Sequence, residues 1–275
     1  MAKTFKKAIF NRIEDHKIFF DGINLRNVII DENAFPAKIR EVYLSALQPI
    51  NVIIKVAKQS HSINYIFLPN TKGKIIHLLA DNVDHLDRVY RLEEGVEIDF
   101  ATADFNRANR NINLTVELVG AKAKTNWFLS ALVDQQHSKI YDISFLHKHA
   151  DTFADMQNYG VIIDDSKLFF SGTSAIFKNM KHAETHQTAK IIIFDDRAVA
   201  KADPILVIHH NDVKASHAAT LGKVNSEHLY YMQSRGISEL ETKRLITKGY
   251  LEPVIKFIDD QETANKLMLA LEEAL

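Results

Sequence analysis

Histidine is the residue type that most invites a chemical reading here. The 275-residue chain carries 13 histidines and no cysteine. Imidazole titrates near neutral pH and ligates metals. His147 and His149 are two apart and share a face if that segment is a strand. His209 and His210 are adjacent and then face oppositely, and His182 and His186 are neighbours only on a helix. None of these is a recognised metal spacing, and no His-Glu-x-x-His motif is present. Each histidine taken singly reads as a surface or half-buried imidazole on a strand edge. The acidic pairs Asp164-Asp165 and Asp195-Asp196 invite paired-carboxylate sugar chemistry, which some parallel β-helix enzymes perform. Consecutive acids after an apolar burst also describe solvated turns. Zero cysteine removes disulfides, cysteine zinc sites, all-cysteine iron–sulfur ligation and any thiol nucleophile. With 9 glycines the chain is poor in phosphate-cradling loops, and it lacks the nucleophile-elbow, P-loop and dinucleotide-binding patterns.

Net charge is −1, so no bulk charge draws the chain to nucleic acid or to an anionic membrane. A composition of 46% hydrophobic and 25% charged residues suits a folded domain. Lys3, Lys6 and Lys7 resemble the start of a signal peptide, but Asn11 to Lys17 interrupt any apolar run. No stretch approaches the roughly 20 apolar residues of a membrane span. These features predict a cytoplasmic protein.

The elements that would position such side chains are short apolar bursts. Examples are Ile18–Phe20, Asn51–Lys55, Lys74–Leu79, Ile112–Val119, Lys139–Leu146, Tyr159–Ile163 and Pro204–Ile208. They are rich in Ile, Val, Phe and Thr, which suits strands. Sustained helical periodicity is missing from about Val96 to Ala215. The segment Lys38–Leu47 is the one early stretch that reads as a helix, stopping before Pro49. Many short strands describe a sandwich, a barrel or a β-helix. Hairpin signals are scarce, with Asp21-Gly22 the only Asp-Gly, which favours parallel stacking.

Near Val224 the pattern turns helical. Asn225 or Ser226 can cap a first helix that Gly236 ends, and Ser238 with Glu241 forms a capping box for a second. Gly249 is expected to close that second helix, and Pro253 to open another carrying Val254, Phe257 and Ile258. Ala264, Leu267, Met268 and Leu271 fall on one side of a final amphipathic stretch.

The segment Asp212-Val213-Lys214-Ala215-Ser216-His217-Ala218-Ala219-Thr220 resembles the Asp-Val-Lys-Cys-Ser-His-Gly-Ala-Thr motif of the SufB/SufD family of iron–sulfur cluster assembly proteins, more on the SufD side. It departs at Ala215 and Ala218. Leu229 to Ser238 is similar to the family's Phe-Tyr-Leu-x-Ser-Arg-Gly-Ile-Ser stretch, and Tyr159-Gly160-Val161 and His186-Gln187-Thr188 match upstream motifs in part.

The resemblance implies a mainly β protein. Its core over residues 1–222 would be a right-handed parallel β-helix, with residues 1–60 open and partly helical, followed by a C-terminal α-helical domain over 223–275. It implies a non-enzymatic SufD-like scaffold that dimerises, with itself or a SufB-like paralogue, around Lys214, Ser216 and His217. A SufC-like ABC-type ATPase would dock on Tyr231, Arg235, Gly236, Ile237 and Tyr250. The family's functional histidine falls on His217, an iron ligand by analogy with Rieske centres, and Lys214 would neutralise an anionic cluster. No cofactor is expected to bind stably, only a transient cluster shared with a partner subunit. The rival readings are a cysteine-free homodimeric adaptor without cluster work and a carbohydrate-active β-helix enzyme.

Overall fold

The computed structural model describes residues 5–21, 25–58, 61–224 and 226–274. The expected turn residue Gly22 and cap Asn225 lie outside that set. Among the described residues the chain alternates between two nine-stranded sheets. Sheet I contains β1 (Lys6–Lys7), β4 (Arg26–Asp31), β6 (Ile50–Val56), β8 (Lys72–Leu79), β10 (Glu97–Asp104), β12 (Lys124–Val133), β14 (Phe153–Ile162), β16 (Glu184–Ile193) and β18 (Lys214–Lys223). Sheet II contains β2 (Arg12–Glu14), β3 (Lys17–Asp21), β5 (Glu41–Ser45), β7 (Ile63–Phe67), β9 (His85–Leu92), β11 (Arg110–Leu118), β13 (Ser138–His147), β15 (Lys167–Ile176) and β17 (Val199–Ile208). Neighbours pair in parallel, apart from the β2–β3 hairpin, whose turn holds Asp15 at φ 50°. The product is a parallel β-solenoid.

Its logic is the strand period of two. In β13, Tyr141, Ile143 and Phe145 are buried while Ile140 and Asp142 face out. Because each coil sits in register on the last, inward side chains form continuous rows. One row runs Phe100, Trp127, Met156, Gln187 and His217. The rings of Phe67, His77, Tyr90, Phe100 and Trp127 pack with centroids 4.7 to 6.0 Å apart. Full burial of such a side chain stabilises by roughly 1.5–3 kcal/mol, and edge-on ring contacts add to it. Corners turn through left-handed residues such as Asn70, Asp151, Asp164, Asn179 and His182, types that tolerate positive φ.

Two local expectations fail. Residues 38–47 form no helix; β5 occupies Glu41–Ser45, with Val42 and Leu44 fully buried. Pairing with β3 and β7 imposes the strand period there, and tertiary pairing overrides the weak helical pattern. Among its described residues the open region 1–60 is therefore mostly strand, with a short 3-10 turn at Glu32–Ala34, and belongs to the same solenoid.

The second failure is in the tail. Helix α1 spans Ser226–Ser234, α2 Glu239–Lys256 and α3 Gln261–Glu273. Gly249 does not end α2, and Pro253 lies inside it. In a helix interior, Gly costs about 1 and Pro about 3 kcal/mol relative to Ala. Burial of Leu251, Val254 and Ile255 around them offsets that cost. The face of sheet I under the helices is apolar for the same reason: Ile53, Ile76, Ala101, Leu132 and Val161 cluster with Leu251, Ile258 and Leu271. The α3 stripe falls where periodicity put it, with Leu271 buried and Ala264, Leu267 and Met268 packed beside it. The helix pair thus doubles back along sheet I. Asn51 Nδ2 donates to Asp259 at 3.1 Å, and Arg107 donates to the Glu273 carbonyl at 3.2 Å.

Candidate functional site

The solenoid ends on β17 and β18, each the last strand of its sheet. The direction of the unused hydrogen bonds follows from the chain itself. The amides of Lys214 and Val224 donate to Ala183 and Ile193 on the β16 side. In a parallel ladder alternate residues serve one neighbour, so the odd-numbered amides of β18, His217 and Ala219 among them, face the open edge. On β17 the odd-numbered amides are the inner ones, since Val199 and His209 donate to Ser166 and Ile176. Pro204, which has no amide hydrogen, therefore sits at an outward-facing position. Prolines are confined to such edges and blunt them. The edge of sheet I carries no such block.

The strand period also sorts the residues that the motif groups together. His217 lies on the inward row, directly over Gln187, and is exposed because no further coil covers it. Lys214 and Ser216 lie on the opposite face. Lys214 Nζ is 3.4 Å from Glu184 Oε2, and Ser216 Oγ is 2.6 Å from His186 Nδ1. His186 Nε2 in turn meets Glu184 Oε1 at 2.9 Å. This outward network holds the Glu184 carboxyl below its ordinary value, chiefly through His186. Lys214 thus neutralises Glu184 on the outer face and stands across the strand from His217.

Beneath His217 the floor is polar. Gln187 Nε2 donates to Ser174 Oγ at 2.7 Å and to the Ile205 carbonyl at 3.3 Å, tying β16 to β15 and β17 across the interior. Thr185 donates to the same Ser174 Oγ at 2.9 Å. Sequence reasoning passed over Gln187 as a site residue. The available signal was a lone glutamine on the inward parity of a strand whose neighbours on that parity, Thr185, Ala189 and Ile191, are small or apolar.

The other histidines disperse. His147 is buried at the end of β13, where its Nδ1 meets Thr152 Oγ1 at 2.8 Å, and burial pulls it down to about 4. His149 lies beyond that strand, so the two do not share a strand face. His182, at a corner, bridges Asp151 at 3.0 Å and Asp212 at 3.2 Å, while His186 is in β16. His209 and His210 follow β17 in the turn. Among the described residues, no group of three or more histidines and acids is placed to hold a metal ion. The acidic pairs occupy corners: Asp164 Oδ2 accepts from the Gln135 amide, and Asp195 accepts from Arg197.

Buried charges are a second feature that pattern reading missed. Glu32 pairs with Arg88 at 2.6 Å inside the first coils. Asp104 meets Arg110 at 3.0 Å, Lys139 at 3.1 Å and the Tyr141 hydroxyl at 2.7 Å. Burial pushes the Asp104 carboxyl up, but Lys139 and Arg110 outweigh it and leave it below its ordinary value. These clusters pin coil corners and lie away from the open end.

In the tail, α1 ends in a Schellman motif: the Ile237 amide donates to the Met232 carbonyl, the Gly236 amide to Gln233, and Gly236 takes φ +86°. Ser238 then caps α2, accepting from the Glu241 amide at 3.1 Å. The turn displays Tyr230 at 74% exposure and Tyr231 at 55%, with the Arg235 guanidinium 5.2 Å over the Tyr231 ring. Leu240 and Leu245 are exposed beside them. Tyr250 is set apart, packed edge-on against Tyr159 with ring centroids 5.5 Å apart.

Residues 21–250 match the family described as SUF system FeS cluster assembly, SufBD core domain. The chain is 33% identical over 114 residues to the iron–sulfur cluster assembly protein SufD of Bacillus subtilis, covering 42% of this chain and 26% of that protein. It is 22% identical over 201 residues to SufD of Plasmodium falciparum, covering 72% and 14%. A SufBD family protein of Staphylococcus aureus is 23% identical over 217 residues, covering 77% and 44%. The chain thus spans less than half the length of each of these relatives. With the match running through both sheets and into α2, the chain belongs to the SufBD core-domain family.

Proposed function

We propose that the chain is a SufD-like scaffold subunit of iron–sulfur cluster assembly, without catalysis of its own. It associates through the open end of its solenoid and docks an ABC-type ATPase on its first helical turn. The observation that carries the reading is the asymmetry of that end: β17 is blunted by Pro204, while β18 offers unblocked outward amides around His217. Strand addition at an exposed sheet edge gains main-chain hydrogen bonds without any new fold. The exposed Ile205, Val207, Ile208 and Leu221 on the same coil supply apolar area for burial. The cluster is cargo on this reading. The chain offers it one imidazole, His217, and no thiolate, so the remaining ligands come from a partner. For the ATPase, the Tyr230, Tyr231 and Arg235 surface has the aromatic and guanidinium composition of interaction hot spots.

The test separates the two surfaces. Ala219→Pro removes one outward amide and leaves the β16 ladder intact. It is expected to abolish association of the chain with itself or with a cysteine-bearing SufB-like partner in light scattering, with unchanged far-ultraviolet dichroism. Arg235→Glu is expected to abolish ATPase capture and leave that association intact. Association unaffected by Ala219→Pro overturns the edge assignment, and ATPase capture unaffected by Arg235→Glu overturns the docking assignment.

A further inference from the structure

Helix α2 keeps two residues that its own stability disfavours, Gly249 and Pro253, and both are exposed where they line a groove between the helix and the sheet. With Tyr250, Val254 and Phe257 they form one stripe at helical spacing. A Cβ built on Gly249 would meet no atom within 4 Å, so the glycine leaves open space. Pro253 has no amide hydrogen for the Gly249 carbonyl, which loses its helical donor. Opposite this stripe, adjacent strands β12 and β14 present Phe128 and Ser130 in register with Gln157 and Tyr159. The two surfaces touch at the ends, through Phe128 with Phe257 at 5.4 Å and Tyr159 with Tyr250 at 5.5 Å between centroids. Between these aromatic pillars lies a slot of about 350 Å³, within the size range of small-molecule sites.

Cations flank it. Lys190 Nζ lies 5.6 Å over the Tyr159 ring and Lys74 Nζ lies 4.4 Å over the Phe257 ring. Lys74 is also 3.9 Å from Asp259, and Gln157 Nε2 donates to Asp155. Lys190 has no acidic partner among the described residues. Burial, with Tyr159 beside it, pushes the Tyr250 phenol up to about 12, so it keeps its proton at neutral pH.

We infer that the slot between α2 and sheet I is a binding site for a small planar aromatic carboxylate, its rings between the two aromatic pairs and its charge toward Lys190. The inference is independent of the scaffold reading, since the slot lies over β12 and β14, set in from the β18 edge by β16, and uses neither His217 nor the Arg235 turn.

The probe is 2-naphthoate, titrated calorimetrically into the full chain, against 2-naphthylmethylammonium as the same rings with opposite charge. Naphthoate is expected to bind with a dissociation constant on the order of 0.1 mM, as its size allows, and the ammonium at least tenfold more weakly. Gly249→Leu fills the slot with a better helix former, so the fold is retained while naphthoate binding falls at least tenfold. Lys190→Gln is expected to weaken it about threefold, the scale of one exposed charge. Absence of naphthoate binding to the wild type, equal binding of the two probes, or full binding by Gly249→Leu overturns the proposal.

Discussion

Trp127 and His217 stand on the same inward row of the same sheet, yet one is fully buried and the other exposed. Strands β12 and β18 are equally long, and both alternate by the same period. The difference is only that three further strands, β14, β16 and β18, stack beyond Trp127 and none stacks beyond His217. Exposure in this fold therefore reports the end of stacking, and residue chemistry follows it. The covered coils carry aromatic rows, whereas the last covered layer turns polar at Gln187, Thr185 and Ser174. The solenoid does not hide its final coil under its own chain, because the helices that follow fold back over the side of sheet I.

The sharpest way to break this comparison is stability. Trp127→Ala is expected to cost about 3–5 kcal/mol in denaturant unfolding, and His217→Ala less than about 0.5 kcal/mol. A cost for His217→Ala comparable to that of Trp127→Ala in the isolated chain would show that the end is already packed.

The same contrast holds within the tail. Replacing Leu251, a fully buried residue of α2 packed on sheet I, by alanine is expected to cost about 2–4 kcal/mol. Tyr231→Ala on the exposed turn is expected to leave the unfolding midpoint within about 0.5 kcal/mol of wild type. Removing all of 226–275 is a poor test of docking, since it would uncover Ile53, Ile76, Ala101, Leu132 and Val161 on sheet I.

A smaller, pH-dependent effect sharpens the view of the interior. His77 is enclosed by Tyr90, Phe100 and Trp127; Nε2 meets the Tyr90 hydroxyl at 2.7 Å, and Nδ1 meets Thr102 Oγ1 at 3.1 Å. Burial, aided by the Arg88 charge, pulls the imidazole down to about 3. The folded value lies below the ordinary 6.5, so the folded state prefers the neutral ring. The stability it contributes is full above pH 6.5 and is lost as pH falls toward about 3. Urea midpoints should drop between pH 6.5 and 4, and His77→Phe should flatten that slope by up to about 1 kcal/mol per pH unit. An unchanged slope would place the acid sensitivity elsewhere, His147 being the next candidate.

Much of this was legible from residues alone. The bursts predicted the strands because alternation is local, and the scarcity of hairpin signals predicted parallel stacking because coils join through corners. Gly236 and Ser238 predicted a helix end and a helix start because capping needs only neighbouring residues. The family motif located His217. What the sequence left ambiguous was non-local. Residues 38–47 carry a helical pattern that strand pairing overrules, and Gly249 and Pro253 read as breaks until the sheet beneath them is known. The motif listed Lys214, Ser216 and His217 as one group, and only the register against β16 put them on opposite faces.

Amino-acid order by itself determined which segments extend, where the helices are capped and that no thiolate is present, since each depends on side chains a few bonds apart. Tertiary structure alone decided which inward residue ends the stack, which of two edges stays open and which face of sheet I the helices cover. Those depend on coils about thirty residues apart in the chain meeting at the ~4.8 Å spacing of neighbouring strands, a distance no local pattern encodes.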